Sequence, residues 1–544
     1  MSRRSSRDQA EHNAAALLHV DLVPGTEIMQ DAGEVHFVHG PKSGEVLIPH
    51  PSTSYDDPLN WALVWKYMVA LVQVIYTWVT VASALSMAPM FPLLGKEFGL
   101  NETQLGMLTG SCVLALGYAN FVIVPYSNIF GRRMTCMLFG IFVILTCLWE
   151  ALATSYSSLI AARVLNGFAT ATSESLMVQV VADVFFLHER GFWMGMYFTA
   201  YFLGLFTGPI ISGNIAERWG WRSFFWLSLA LAAVILVLLI VCFPETKFER
   251  STPAAPVAVA LDADTTNQEK ISASIGQEDS SSPLAPVGKG RPSRLQFRLW
   301  QKPSADWKSF VVRDVFSPFQ VFFFPIIFWA GLNVAGPANL LLLWNLTESN
   351  VLGAPPYHFS VSAVGYANFA FVVGGLAGLA TAGPASDWIA HKLTIRNGGV
   401  REPEMRLPAL APYFMTSVVG IVVGAVAIQR QWSWPILLII GYGFTGLCVT
   451  SVPTIAIAYA VDCYKPIAGE IMVVATVLKN TCGFSMSYWV FDLEARQGFI
   501  SPAMVEFALT IGPMLLAIPL FFFGKSLRRL TRNSKVHGLE HHSL

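Results

Sequence analysis

Three ionisable residues inside apolar segments are the first candidates for chemistry in this sequence. Arg163 and Glu174 share one such segment, and Lys479 lies in another. Arg163 and Glu174 are eleven residues apart, which on a helix is about three turns or ~16 Å, so both project from nearly one face. Charged groups are costly in lipid and therefore mark ion or substrate pathways. We predict that these residues belong to such a pathway.

Glu174 is the candidate for proton coupling or for contact with a cationic substrate. Desolvation favours the neutral form of a buried carboxyl group, so such a group can exchange protons near neutral pH. The alternative is a structural Glu174 that a nearby Ser or Lys stabilises. Lys479 could pair with Glu174 across a cavity. The alternatives are snorkelling to the interface, about nine residues or ~13 Å away, and contact with an anionic substrate.

Uncharged polar residues in the apolar segments form a second set of cavity candidates. They are Gln73, Asn120, Asn333, Asn339 and Asn368. Aromatic residues with a polar handle add to them: Tyr76, Tyr366, Tyr442 and Tyr488. Ligand sites combine apolar walls with a few polar groups. Hydrogen bonding between helices is the alternative for each, and we expect about a third to face a cavity.

Composition and hydropathy indicate that lipid surrounds the elements that must position these residues. Only 13% of the 544 residues are charged, against about 25% in ordinary soluble domains. A spanning helix needs about 20 mostly apolar residues. The pattern predicts an all-α, polytopic membrane protein with twelve spans, at 66–90, 103–127, 134–153, 159–185, 192–214, 222–243, 318–345, 362–386, 408–429, 434–460, 470–492 and 503–524.

The twelve spans divide six and six around a long polar stretch. Residues 244–317 are rich in Ser, Pro and Ala without periodicity, which predicts a largely disordered linker. Two six-helix bundles are expected, at 66–243 and 318–524. A disordered amino-terminal tail (1–65) and a carboxyl-terminal tail (525–544) flank them. The first 60 residues are polar and lack an apolar core before a cleavage site, so no cleavable signal peptide is expected.

Basic residues in short loops predict that both termini are cytoplasmic. Eight lie in the predicted inner loops: Arg132, Arg133, Arg190, Lys392, Arg396, Arg401, Arg406 and Lys465. Five lie in the outer loops: Lys96, Arg218, Arg222, Arg430 and Arg496. Glycosylation sequons at Asn101 and Asn345 fall in predicted outer loops, where alone they can be modified. The predicted location is the cell membrane, with a vacuolar or vesicle membrane left open.

Six short motifs carry a family resemblance. They are VPYSNIFGRRMT (124–135), ARVLNGFATA (162–171), FFLHERG (185–191), GLFTGPIISG (204–213), PETK (244–247) and NGGVREPEMRLP (397–408). With these motifs in this order, the chain resembles the major facilitator superfamily, and within it the fungal twelve-span drug:proton antiporters. The resemblance implies two six-helix bundles that rock between outward-open and inward-open states around a central cavity. It gives Arg163 a role in proton transfer or gating, and Glu174 none.

The resemblance also implies a charge network on the inner face that latches the bundles in the outward-facing state. Its charged members here are Arg132, Arg133, Asp183, Glu189, Arg190, Glu245, Asp387 and Asp462, and Gly131 belongs to the motif that carries the two arginines. The family motif usually has an aspartate where this chain has Asn128, whereas the second half keeps its acid as Asp387. We therefore predict a weak amino-half latch with Asp183 as the main partner of the two arginines.

The GLFTGPIISG motif resembles one that is associated with antiport. Gly204, Gly208 and Gly213 permit close helix approach, and Pro209 bends the helix. Such a helix suits repacking during a transport cycle. Static tight packing is the alternative.

These observations together predict a secondary active transporter of small organic molecules. Proton-coupled efflux of a toxin, drug or secondary metabolite is the first hypothesis. Proton-coupled import of polyamines or other organic cations is the alternative, and a transporter-like receptor is a remote one. We expect no enzyme activity, because the sequence lacks GxxxxGK[ST], HExxH and GxSxG.

The expected partners are a small-molecule substrate, protons and the lipid bilayer, and the chain is expected to be a monomer. No cofactor and no metal site are predicted, since the seven cysteines form no CxxC pair. A net charge of zero gives no indication of nucleic-acid binding.

Overall fold

The structure is a computed structural model that describes residues 26–28, 52, 54–248, 288, 290–300, 307–398, 400–464 and 467–531. Almost all of these residues are helical. Most of the predicted amino-terminal tail, the middle of the predicted linker, Lys465 and the end of the carboxyl-terminal tail lie outside the described residues.

Six spans form the amino half, and glycines with positive φ separate several of them. Gly99 (φ 65°), Gly131 (φ 96°) and Gly220 (φ 80°) end one helix and allow the next to begin, because only glycine adopts these angles readily. The helices are Leu63–Leu85 with Phe91–Phe98 (span one), Glu102–Phe130 (two), Arg132–Leu152 (three), Tyr156–Thr170 with Thr172–Val184 (four), Leu187–Trp219 (five) and Trp221–Cys242 (six).

The carboxyl half also has six spans, and a helix from the predicted linker precedes it. This linker helix is Trp307–Phe322. The spans are Pro325–Gly353 (seven), Val361–Ala367 with Phe369–Arg396 (eight), Leu410–Gln429 (nine), Trp434–Ile436 with Leu437–Tyr442 and Gly443–Cys463 (ten), Ala468–Gln497 (eleven) and Ile500–Leu515 with Ala517–Thr531 (twelve). Short 3₁₀ turns lie at Pro58–Asn60, Ala88–Met90, Arg294–Phe297 and Pro403–Ala409, and a two-residue strand Glu27–Ile28 pairs antiparallel with Val400–Arg401.

Most of the twelve spans are continuous apolar helices long enough to cross a membrane, but spans four and eleven are not. Nine described helices are long and apolar enough to cross a membrane, or ten if the pair in span twelve, bent by 48°, is counted as one. Span four is missing from this set because it is broken at Ala171, and span eleven because its composition is too polar. These two spans carry Arg163, Glu174 and Lys479.

The two ends of the helix assembly differ in how tightly the halves meet. We call the end at Gly131, next to the linker helix, the linker face, and the end at Gly99 and Gly498 the opposite face. At the opposite face spans two and eleven interlock, since an added Cβ at Gly106 would lie 2.7 Å from the Phe491 ring. Ser349 in span seven also donates to the Ala88 carbonyl at 2.5 Å. The opposite face is therefore closed.

The buried apolar core shows the same asymmetry. One cluster runs from the carboxyl half into the opposite-face end of the amino half, where it includes Met87, Leu105 and Phe225. A separate cluster fills the rest of the amino half, for example Val69 and Phe139. The halves thus share one core near the opposite face and have separate cores near the linker face.

Several segments that were predicted to be disordered are packed instead. Residues 54–62 are ordered, and Trp61 is fully buried and bridges to Gly290. Residues 290–300 lie against the amino half, where the Glu245 amide donates to the Gln296 carbonyl at 2.9 Å. Packed chain therefore extends past the predicted boundaries at 65 and 317, because these polar segments satisfy their backbone groups on the ends of the helices.

The last helix also extends into the predicted tail, to Thr531. Arg528 is fully buried there and donates to Glu402 at 2.6 Å and to Glu404 at 2.8 Å. Thr26 of the amino-terminal segment donates to the same Glu402 carboxylate at 2.8 Å. These contacts anchor the segment at Thr26 to the carboxyl half at the linker face.

Candidate functional site

A buried ion pair joins the two halves of the protein near the middle of the helices. Lys479 Nζ of span eleven lies 2.6 Å from Glu174 Oε1 of span four. The Tyr201 hydroxyl donates to the same Oε1 at 2.8 Å and lies 3.1 Å from Lys479 Nζ. The Glu174 side chain is 4% exposed and that of Lys479 15%. The structure therefore forms the pair that the sequence suggested as one alternative, and Lys479 does not snorkel.

The break in span four positions Glu174. Because one helix ends at Thr170 and the next begins at Thr172, Glu174 lies in the first turn of a new helix. The partial positive charge of a helix amino terminus stabilises a carboxylate there. Thr172 meets the buried Tyr76 hydroxyl at 2.5 Å, and this contact holds the break against span one.

Arg163 lies in a different environment from Glu174. It is fully buried within the amino half, where its Nη1 lies 3.3 Å from Glu150 Oε1 of span three. It also donates to the carbonyls of Leu108, at 3.3 Å, and of Ala84. Arg163 thus ties four spans together and is not a member of the pair at Glu174.

Three cavities meet at the ion pair, and their walls come from both halves. One is lined by Glu174, Lys479 and Tyr201 together with apolar residues of spans five, seven, ten and eleven. The second extends toward the opposite face past Asn339 and shares Lys479 and Tyr201. The third extends from Glu174 toward Asn128 at the linker face. A route from the linker face to the centre therefore passes the ion pair.

Two of the five uncharged polar candidates line these cavities. Asn339 lines the cavity toward the opposite face, and Asn120 the cavity toward the linker face. The others make contacts between or within helices. Gln73 donates to Cys136 Sγ at 3.2 Å, Asn333 to the Trp329 carbonyl at 3.0 Å, and Asn368 to Glu348 Oε2 at 3.0 Å.

The four tyrosine candidates lie away from the described cavities around the ion pair. Tyr76 and Tyr442 are buried within their own halves. Tyr366 donates to Asn214 across the opposite face at 2.5 Å, and Tyr488 is 55% exposed. Tyr201 lines two of the cavities but was not among the predicted tyrosines. The sequence feature that could have indicated Tyr201 is its position in span five, about one turn before the glycine motif.

The predicted inner-face network is two separate clusters, one in each half. In the amino half Arg132 Nε lies 2.8 Å from Asp183 Oδ2, and its backbone amide donates to Glu245 at 2.8 Å. Arg133 does not share Asp183. Its buried guanidinium donates to the carbonyls of Leu239 at 2.9 Å and of Phe243 at the end of span six.

Glu245 holds the start of the chain segment that follows span six. It accepts from the backbone amides of Arg133 at 3.1 Å and Lys247 at 2.9 Å. Burial raises the pKa of Glu245 in spite of these hydrogen bonds.

Arg190 caps the end of span four, because it donates to the carbonyls of Phe185 at 3.0 Å and Ala182 at 2.7 Å.

The carboxyl-half cluster centres on a residue that the predicted network omitted. Arg406 lies 2.5 Å from both Asp387 and Asp462, and Arg401 lies 3.6 Å from Asp462. These residues all belong to spans eight, nine and ten or the turns between them. The two clusters describe the state with the opposite face closed. The latch was predicted for the outward-facing state and stays a prediction.

The glycine motif of span five packs against both halves. An added Cβ at Gly204 would lie 2.8 Å from the Trp78 carbonyl of span one, and one at Gly208 would clash with Ser86. At Gly213 an added Cβ would lie 2.8 Å from the Val361 carbonyl of span eight. Pro209 lies inside the helix. The last glycine therefore permits closure of the opposite face, while the first two join helices of one half.

The two glycosylation sequons lie in different environments. Asn101 is exposed and caps span two, where its side chain accepts from the Gln104 amide at 2.8 Å. Asn345 is buried inside span seven, which extends to Gly353, and it donates to the Leu341 carbonyl at 3.1 Å. The prediction of an outer loop at Asn345 was wrong, because the helix continues past the apolar window that set its boundary.

Two further buried carboxyl groups were missed in the carboxyl half. Glu348 is fully buried, and its hydrogen bond in the described part of the chain comes from Asn368. Glu506 is also fully buried, and neither of its oxygens has a hydrogen-bond partner among the described residues. Neither lines the three cavities at the ion pair. No group of three or more metal-ligating side chains occurs in the part of the chain that the structure describes.

Comparison with known proteins identifies the family of this helix arrangement. The profile of the Major Facilitator Superfamily matches residues 73–487. The chain belongs to the Major Facilitator Superfamily. An uncharacterised MFS-type transporter of Schizosaccharomyces pombe is 26% identical to it, over 94% of each chain. A probable efflux pump of Aspergillus flavus, mfs2, is 24% identical, over 82% of this chain and all of its own.

A solved structure supports the major facilitator fold. The human organic anion transporter MFSD10 (TETRAN) superposes with a TM-score of 0.51, over 83% of this chain and 99% of its own. The two sequences are 17% identical, so this likeness concerns the fold alone. As a member of the superfamily whose profile it matches, the chain is a polytopic membrane transporter.

Proposed function

We propose that this transporter exports small organic molecules in exchange for protons, and that Glu174 and Lys479 form its coupling site. One observation carries the proposal: the buried 2.6 Å ion pair joins the two halves where three cavities meet. A bond between halves at this place changes whenever the halves reorient. Any ligand or proton that acts on it therefore acts on the conformational equilibrium.

The proposed chemistry is a transfer of one proton to and from Glu174. In the observed state the carboxylate is stabilised by Lys479 and Tyr201. When a proton binds the carboxylate, Lys479 loses its counter-charge and the attraction between the halves weakens. Substrate in the adjoining cavity competes for the same groups. Proton and substrate then bind in alternation, as exchange requires.

We assign the linker face to the cytoplasm. The excess of Lys and Arg in the loops at that face supports this orientation. The structure, with its opposite face closed, is then an inward-facing state that accepts substrate from the cytoplasm. The efflux pump among the relatives supports export as the direction.

The test is transport by the purified chain in liposomes with an imposed pH gradient. We expect the gradient to drive substrate flux, and Glu174→Gln to abolish its pH dependence. Glu102→Gln is the matched control, since Glu102 is an exposed carboxylate at the opposite face. Normal flux with an unchanged pH profile in Glu174→Gln would refute the coupling assignment.

A second candidate substrate class is organic cations, and a specific observation favours it. The cavity toward the linker face is lined by three carboxylates, Glu174, Asp314 and Glu470, with Arg313 as the cation among its lining residues. Carboxylates attract ammonium groups. Spermidine compared with neutral toxins in the same liposomes distinguishes the classes. Spermidine flux that runs with the proton gradient rather than against it would establish import.

A further inference from the structure

The linker helix Trp307–Phe322 forms part of the wall of a cavity at the ion pair. Arg313, Asp314 and Pro318 line the cavity that runs from the linker face to Glu174. The same cavity is lined by Asn128 of span two and Glu470 of span eleven. The linker helix therefore stands at the linker-face end of spans two and eleven, which touch each other from the opposite face as far as Gly117 and Asn480 near mid-helix.

Three contacts hold the linker helix against the linker-face end of the amino half. Asn128 Nδ2 donates to Asp314 Oδ2 at 2.5 Å. The rings of Phe319 and Phe121 of span two stack, with their centroids 5.2 Å apart and their planes 7° from parallel. Lys247 Nζ also lies 5.8 Å from the centroid of the Phe310 ring. The helix is thus fixed by one polar and two aromatic contacts.

The hydrogen bonds around Asn128 explain why an amide stands there. Its Oδ1 accepts from Arg132 Nη1 at 3.2 Å, while its Nδ2 donates to Asp314. Asp314 is 8% exposed and accepts from Arg313 Nε at 2.8 Å through its other oxygen. An aspartate at position 128 could still accept from Arg132, but it would face the Asp314 carboxylate. The acid of this contact is supplied by the linker helix.

The linker helix is joined to the carboxyl half by a short connection. It ends at Phe322, and span seven begins at Pro325, so only two residues separate them. The hydrogen bond from Asn128 to Asp314 and the stack of Phe121 on Phe319 therefore join one half to the other. A linker helix that follows the carboxyl half breaks these contacts when the halves reorient and the opposite face opens.

We propose that Asn128 and Asp314 form an inter-half latch that stabilises the state with the opposite face closed. Asp314 is a positioning residue, because it acts by holding the linker helix at the mouth of the cavity. This inference rests on the alternating-access part of the proposed function and not on proton coupling or on the direction of transport.

The test measures how often the opposite face opens. A cysteine placed at Thr109, which lines the cavity toward that face, reports access to a membrane-impermeant maleimide. The same chain without the added cysteine gives the background from native thiols. We expect Asn128→Asp to raise the labelling rate about tenfold, equivalent to about 1.4 kcal/mol, because two carboxylates then meet. Asp314→Asn keeps an amide contact and should change it less.

A double variant that exchanges the two side chains tests whether Asn128 and Asp314 act together. Asn128→Asp combined with Asp314→Asn restores one acid and one amide, so labelling should return to the wild-type rate. If the double variant labels as fast as Asn128→Asp alone, or if Asn128→Asp labels at the wild-type rate, the latch is refuted. Phe319→Ala removes the aromatic contact without changing charge and should also raise labelling. It tests the latch if Asn128→Asp does not fold.

Labelling and flux separate the two proposals. Loss of pH-dependent flux in Glu174→Gln with an intact latch response supports both. A latch response in a chain whose flux ignores the pH gradient refutes proton coupling alone. Flux that depends on the gradient without any latch response refutes the latch alone.

Discussion

The ion pair between Glu174 and Lys479 predicts a large and specific coupling between the two halves. Glu174→Gln leaves the Lys479 ammonium without a counter-ion. Lys479→Met leaves the Glu174 carboxylate without a counter-ion. Each single variant should therefore destabilise the state with the opposite face closed. The double variant removes both charges, so the halves meet again through neutral groups.

The expected magnitude follows from the burial of the pair. Removing one partner of a buried pair destabilises by about 3–5 kcal/mol. Lys479 is 15% exposed and also contacts the Tyr201 hydroxyl, so water and the phenol offset part of the loss. We therefore expect about 3 kcal/mol for Glu174→Gln, or about a 150-fold shift toward the state with the opposite face open. The double variant should recover most of it.

Labelling of a cysteine at Thr109 measures the shift for the wild type, both single variants and the double variant. The four rates form a double-mutant cycle, whose interaction energy should be about 2–3 kcal/mol. Melting temperatures in detergent show whether the variants remain folded. If the effects of the two single variants simply add in the double variant, the pair does not couple the halves and the reasoning fails.

Three smaller predictions concern the opposite face, the linker face and the sequons. Gly213→Ala should open the opposite face, because its Cβ meets backbone; Gly383→Ala, which has open space, is the control in the same labelling assay. Burial raises the pKa of Glu402, but hydrogen bonds from two basic side chains outweigh it and lower the pKa overall. The ionised Glu402 carboxylate therefore stabilises the folded protein at neutral pH, and this contribution is lost as the pH falls through the pKa of Glu402. Glu402→Gln should thus lower stability by about 1–3 kcal/mol at pH 7, and the difference from wild type should vanish in acid melts. Asn345→Gln should leave gel mobility unchanged with or without glycosidase, whereas any shift should depend on Asn101; a glycan at Asn345 would contradict its burial.

The sequence predicts the spans well because lipid imposes a simple rule on them. Every spanning helix must satisfy its backbone internally and present an apolar surface, so hydropathy finds the helices. The same rule identified Glu174 and Lys479 as candidates, since a charge in such a helix stands out. Their approach to 2.6 Å depends on how span four of one half faces span eleven of the other. Only tertiary structure contains that information.

The misses have related physical causes. Glu150 was overlooked because it lies near the end of span three, where a charge reaches water in most helices, yet here it is fully buried against Arg163. The break at Ala171 has no proline or glycine to announce it. The linker helix was assigned to disorder because its neighbourhood in the chain is polar, whereas its stability comes from contacts with span two, such as the Phe319 stack on Phe121.

The polarity of spans four and eleven has a consequence for synthesis of the chain. Glu174 and Lys479 are separated by 305 positions. At about 5–20 residues per second, the ribosome reaches Lys479 some 15–60 s after Glu174. During that interval the first half must carry its acid without the partner that later neutralises it, shielded by a proton or by water. The two halves can therefore form this ion pair only after Lys479 has been made. Chains that stop between Glu174 and Lys479 should be degraded preferentially by membrane quality control.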